Sequence, residues 1–180
     1  MDITTLLELG HRVGDRLVER GETIGVAEGS CGGLVSTALL ARPGASAYYR
    51  GGGVIYARNA VEGLIAGEIA RPEPLRGACE PFASYLAESI ALRLRTTWGL
   101  GEGGATGPDA NPYGDPPGHV WVAVHGPTSL TRHVLTGDDD RVGNMVAFAT
   151  IALEVLALPA EDLGEFHLVG LVLFQGLGRI

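Results

Sequence analysis

The sequence predicts a single α/β domain, a three-layer α/β/α arrangement built on a mixed sheet. Three observations carry this. Segments with apolar residues at helical spacing alternate along the chain with short β-prone runs, the pattern of helices layered on a sheet. Two of those runs, His119–His125 and Leu130–Leu135, are separated only by a short segment beginning Gly126-Pro127, which signals an antiparallel hairpin. Finally, 180 residues with 46% hydrophobic content suffice for one substantial core and are too few for two full domains.

Taken in order, Ile3, Leu6, Leu7, Val13, Leu17 and Val18 recur at helical spacing and Gly21 comes next as a natural stop, so a helix is expected over 3–20. The run 23–27 is short and partly β-branched, and it feeds the turn Glu28-Gly29-Ser30-Cys31-Gly32-Gly33; a buried strand is expected there. Residues 34–41 suit a two-turn helix that ends before Pro43. Tyr48, Tyr49, Val54, Ile55 and Tyr56 flank Gly51-Gly52-Gly53, which suggests a strand closely approached or bulged at its glycines. Little is assigned over 59–80. From Pro81, the stripe Phe82, Tyr85, Leu86, Ile90 and Leu94 predicts a helix with proline in its first turn.

Residues 101–118 hold so many glycines and prolines that the composition points to a long loop, a common seat of function. After the hairpin, Met145, Phe148, Ala149, Ala152, Val155 and Leu156 mark one face of a last helix over 141–158. The remaining segment, 159–180, reads as an apolar extension; its run 167–174 is expected to form an edge strand or to pack on a second copy.

The net charge of -8, with thirteen scattered arginines and no lysine, argues against nucleic-acid binding through a basic face. Cys31 and Cys79 have neither metal-knuckle spacing nor the density of a disulfide scaffold, so a cytoplasmic protein is expected. The charged, amphipathic first helix does not read as a signal peptide, and no apolar run is long enough for a membrane span. Asp138-Asp139-Asp140 reads as a helix-start cluster, and no metal or other cofactor is expected.

Chemistry is expected in three places. The 28–33 turn carries Ser30 and Cys31, the two nucleophile-type side chains there, and its glycines and the next helix offer N–H groups to an anion. Tyr56, with Arg58 and Asn59, stands at a predicted strand end, where α/β clefts form; a core tyrosine and a surface arginine is the competing interpretation. Thr106-Gly107-Pro108 lies in the glycine-rich loop, either as a ligand contact or as a connector. The five histidines are dispersed, and no serine–histidine–acid set can be chosen among them.

These segments resemble the CinA carboxy-terminal family, the nicotinamide mononucleotide deamidases. Ala27-Glu28-Gly29-Ser30-Cys31-Gly32-Gly33 is similar to the family's A-E-S-C-T-G-G turn, and the stretch from Pro43 to Gly52 to its P-G-S-S-A-Y-F-x-G-G segment. Gly104-Ala105-Thr106-Gly107-Pro108 matches G-I-A-G-P, and the segment from Gly118 to Val124 matches G-T-V-W-I-A-V. The resemblance covers about residues 5–158. It implies an anticodon-binding-domain-like fold, self-association into a homo-oligomer, a small-molecule nucleotide as ligand, and conversion of nicotinamide mononucleotide to nicotinic acid mononucleotide and ammonia.

The resemblance implies Ser30, Tyr56 and Thr106 as the catalytic set, and Glu28, Gly32, Gly33, Gly107 and Arg141 as substrate contacts. The chain departs from the family at two points. An ungapped match puts Gly29 at the position of the nucleophilic serine, so Ser30 takes the role only with a one-residue shift. The base lysine, five residues after the motif tyrosine, is Val61 here. A serine hydroxyl needs an adjacent base, whereas Cys31 needs less help. The bases left open are Tyr56, a histidine or Glu28. Two functions therefore stand: an amidohydrolase, and a catalytically degenerate relative that binds a nucleotide or protein without turnover. An arginine near the last motif is also implied; Asp139 occupies its usual place and Arg141 comes two residues later.

Overall fold

The computed structural model describes residues 2–157, so the segment 159–180, with the edge strand expected over 167–174, lies outside the described residues. Helix α1 (Ile3–Arg20) starts on Asp2, whose carboxylate accepts from Thr5 N at 2.9 Å, and ends at Gly21 in the left-handed conformation. Strand β1 (Ile24–Glu28), α2 (Leu34–Leu40) and β2 (Tyr49–Val54) come next. The unassigned region opens with a short turn of helix, α3 (Arg58–Ala60), continued by a π-turn at Val61–Ile65. Then come α4 (Glu80–Leu94), β3 (Trp98–Ala105), β4 (His119–His125), β5 (Leu130–Leu135) and α5 (Arg141–Ala157).

The sheet order is β2-β1-β3-β4-β5; β1 is parallel to both β2 and β3, and β3-β4 and β4-β5 are antiparallel. The sheet is thus mixed, as expected. Alternation along the strands divides two cores. Ile24, Val26, Leu100, Val120 and Val122 pack with α1, α2 and α5, while Ala27 faces α4 with Ile55, Val61, Ile65, Phe82 and Leu86.

One sequence expectation fails here. Residues 101–105 are not loop but the end of β3, a strand in the middle of the sheet, and the loop proper begins at Thr106. The glycines serve close packing of α4. A Cβ at Gly99 would lie 1.9 Å from the Ala87 carbonyl oxygen, and one at Gly101 would lie 2.1 Å from that of Ala83. Ala83, Ala87 and Ala91 form the matching small stripe on α4, so helix and strand backbones meet with little between them. The acidic run before α5 behaves as expected of a helix start: Asp140 Oδ1 accepts from Val142 N at 3.1 Å.

Candidate active site

The three parallel strands end together. In register, Glu28 of β1 stands beside Val54 of β2 and Glu102 of β3, so their exits deliver Ser30, Tyr56 and Thr106-Gly107 to one edge of the sheet. The connections leaving β1 and β2 go to α2 and α4 on opposite faces, the arrangement that opens a cleft in α/β sheets.

Arg141, on the first turn of α5, ties this edge together. Its guanidinium donates to the Gly107 carbonyl at 2.9 Å and to the Tyr56 hydroxyl at 3.3 Å. Tyr56 is 71% exposed, far from a core tyrosine. Thr106 is buried, and its carbonyl accepts from Asn144 Nδ2 at 2.9 Å; the same amide nitrogen donates to Asp138 O, and Asn144 Oδ1 accepts from Thr136. Asn144 therefore pins the 106–107 segment to α5. Met145, one turn after Arg141, reaches Gly32, where a Cβ would lie 2.8 Å from its methyl carbon.

Glu28 does something other than contact a ligand. It is buried, and its carboxylate accepts from Gly33 N, Val35 N, Ser36 N and the Ser36 hydroxyl, at 3.0, 3.0, 2.9 and 2.6 Å. The N–H groups at the start of α2, expected to await an anion, are thereby occupied from within the chain. Glu28 as a substrate contact or base is corrected to a helix cap, and Gly33 N is committed to it; the left-handed backbone at Gly32 and Gly33 shapes the turn.

The partner of Ser30 is Glu102. The Ser30 hydroxyl donates to Glu102 Oε1, and Glu102 Oε2 accepts from Ser30 N at 3.0 Å and Cys31 N at 2.9 Å. Glu102 is fully buried. Burial raises its carboxyl above the usual range, against the hydrogen bonds from Ser30 and Cys31, and the neighbouring Glu28 pushes the same way as burial. The Cys31 thiol is also completely buried, and desolvation together with Glu102 and Glu28 pushes it well above its ordinary value. Cys31 is therefore held protonated, a poor nucleophile.

Two of the histidines, His119 and His133, stand away from this edge. His119 and His133 bond to each other at 2.9 Å, and His119 also bonds the Ala78 carbonyl, on the α4 side of the hairpin. Glu102 shares its strand face with Leu100 and so points to the opposite side of the sheet. Val61, at the position of the implied lysine, is buried in the apolar cluster beneath α4. The marked surface hollow lined by Leu17, Trp98, Leu130 and Val155 lies at the other end of the sheet, around the start of β3. Among the described residues no cluster of metal-ligating side chains occurs and no helix is long and apolar enough to cross a membrane.

Glu102 was hidden in the sequence because the glycines around it suggested a loop. Its signal was the lone carboxylate in Gly101-Glu102-Gly103-Gly104, just before the Thr106-Gly107-Pro108 segment.

A three-layer α/β/α domain with a mixed sheet, carrying a serine and a carboxylate at the carboxyl ends of its parallel strands, is the class that this fold and site define. Residues 7–158 match the CinA C-terminal domain family, and the chain belongs to it. A CinA-like protein of Anaeromyxobacter sp. (strain Fw109-5) is 39% identical over 157 residues, covering 84% of this chain and 37% of that protein. The chain thus spans little more than a third of that relative's length. Among solved structures, a competence-damaged protein (CinA) superfamily protein from Escherichia coli superposes with a TM-score of 0.78 at 22% identity, over 88% of this chain and 93% of the other. A competence/damage inducible protein from Agrobacterium tumefaciens superposes with a TM-score of 0.76 at 25% identity, over 84% and 93%.

Proposed function

We propose that this chain is a CinA-type amidohydrolase whose substrate is the carboxamide of a pyridine nucleotide such as nicotinamide mononucleotide, with Ser30 as nucleophile. The observation that carries this reading is the Ser30 hydroxyl hydrogen-bonded to a buried carboxylate at the carboxyl ends of the parallel strands. A weak nucleophile held on an acceptor is what acyl transfer requires. Arg141 supplies a cation for the nucleotide phosphate beside Gly107 and Tyr56, and a guanidinium suits an anion of that geometry. Tyr56, exposed and in contact with that guanidinium, orients the ligand, and Thr106 lines the same edge.

A second reading, binding without turnover, is favoured by the apolar setting of Val61, which leaves the implied lysine without a replacement at its own position. The test is ammonia release from nicotinamide mononucleotide by the wild-type chain, Ser30→Ala and Cys31→Ala, with a thermal-shift titration of the same ligand. Turnover lost only in Ser30→Ala supports the amidase. A ligand-dependent rise in melting temperature without ammonia moves the protein to the second reading; neither signal removes this nucleotide as ligand. A domain over 1–158 with an apolar extension over 159–180, self-association and a cytoplasmic location belong to the same proposal, and light scattering of the full chain checks the oligomer.

A further inference from the structure

We infer that Glu102 is the proton acceptor for Ser30, so that a serine–carboxylate pair supplies the base that the amidase reading otherwise lacks. This rests on that reading for its substrate, though not for its geometry. A carboxylate on a central strand is expensive to bury, and the packing need at this position is of the kind met by Leu100 two residues earlier on the same face. No arginine or histidine among the described residues pairs with Glu102, so its charge is balanced by hydrogen bonds alone.

The two oxygens are not equivalent. Oε2 takes both backbone N–H groups, which fixes the carboxylate plane, and Oε1 accepts from the Ser30 hydroxyl. The register neighbour Glu28 is committed to α2 and cannot compete for that proton. Burial raises the proton affinity of Glu102, which makes it a better base than an ordinary carboxylate while it remains ionised. At Gly104 a Cβ would lie 2.5 Å from His119 O, 2.9 Å from Phe148 Cε2 and 3.0 Å from Ser30 Oγ, so the glycine lets all three approach β3.

In the first half of the reaction, Ser30 Oγ bonds to the carboxamide carbon as its proton passes to Glu102 Oε1, giving a tetrahedral adduct. The C–N bond breaks, the nitrogen takes the proton from Glu102, and ammonia leaves an acyl-serine. Water then adds to the ester carbon and gives a proton to Glu102. The C–Oγ bond breaks, Ser30 recovers that proton, and the acid product ionises in solution.

A merely structural Glu102 would be replaced adequately by glutamine, which keeps the shape and one oxygen for the backbone N–H groups. The experiment therefore compares wild type, E102Q and S30A in two assays across pH: ammonia release from nicotinamide mononucleotide, and covalent labelling of Ser30 by a fluorophosphonate read by mass spectrometry. Melting curves check folding. E102Q is expected to slow both reactions roughly 10²–10⁴-fold, the usual span for a general base, and the wild-type acid limb is expected to disappear. Wild-type rates in E102Q, or no labelling of wild-type Ser30 above that of the denatured chain, overturn the pair. Labelling that depends on Glu102 without ammonia release sinks the substrate reading and leaves the pair standing; ammonia release undiminished in S30A and E102Q does the reverse. If E102Q does not fold, wild-type labelling decides: an acid limb supports the pair and labelling independent of pH overturns it.

Discussion

Gly101→Ala tests how β3 comes to hold Glu102. The new Cβ would lie 2.1 Å from Ala83 O, 2.6 Å from Ala87 N and 2.9 Å from Leu86 Cβ, two of them backbone atoms of a helix. Ordinary contact begins near 3.4 Å, so strand and helix must separate by about 1.3 Å, with loss of packing on both sides. Overpacking costs about 1–3 kcal/mol where side chains yield; with backbone on the far side, about 3 kcal/mol is expected. For a chain of this size that is a fall in Tm of roughly 6–12 °C. Urea and thermal unfolding measure it, with Gly63→Ala as the control, since a Cβ at Gly63 meets nothing within 4 Å. Because Glu102 is the next residue, Ser30 labelling in Gly101→Ala should fall as well. A Tm within about 2 °C of wild type would refute the claim that glycine at this position seats α4 on the sheet.

The same geometry makes two further outcomes expected. Glu28→Ala strands the amides of Gly33, Val35 and Ser36 and should cost about 3 kcal/mol in urea unfolding; Glu28→Gln, wherever it folds, should keep its affinity for nicotinamide mononucleotide, and a selective loss of that affinity would return Glu28 to the ligand site. Asp115 is subject to burial, which alone would raise its carboxyl, but hydrogen bonds from Asn111 and Arg76 and the nearby charges of His119 and Arg76 outweigh it and hold the group below its ordinary value. A depressed folded pKa means that its contribution is complete above the unfolded value of about 3.9 and is lost as pH falls through the folded one. The stability gap between wild type and Asp115→Asn should therefore narrow in acid unfolding below about pH 4, and a constant gap would show that the ion pair with Arg76 adds nothing.

Much of the fold was legible because its signals are local. The spacing of Leu6, Val13 and Leu17 and the stop at Gly21 mark α1 within a residue, and the hairpin of β4 and β5 announces itself by alternation around a turn. The placement of the candidate residues was partly legible for the same reason: Ser30, Tyr56 and Thr106 follow the ends of the three parallel strands, and Arg141 starts the last helix, which reaches the same edge. Glu28 was misassigned since a carboxylate beside a glycine turn looks alike whether it faces solvent or caps the next helix.

The α/β/α layering and the turn that carries Ser30 could be read from spacing along the chain, and the family from the resemblance of its motifs. That a glycine-rich stretch is a buried central strand emerges only in three dimensions, since the reason for those glycines is an alanine stripe on α4, distant in sequence. The partner of Ser30 is likewise a product of folding, a residue 72 positions away. A carboxylate's chemistry depends on what surrounds it, and parallel pairing of β1 and β3 is what places Glu28 under a helix and Glu102 under a hydroxyl.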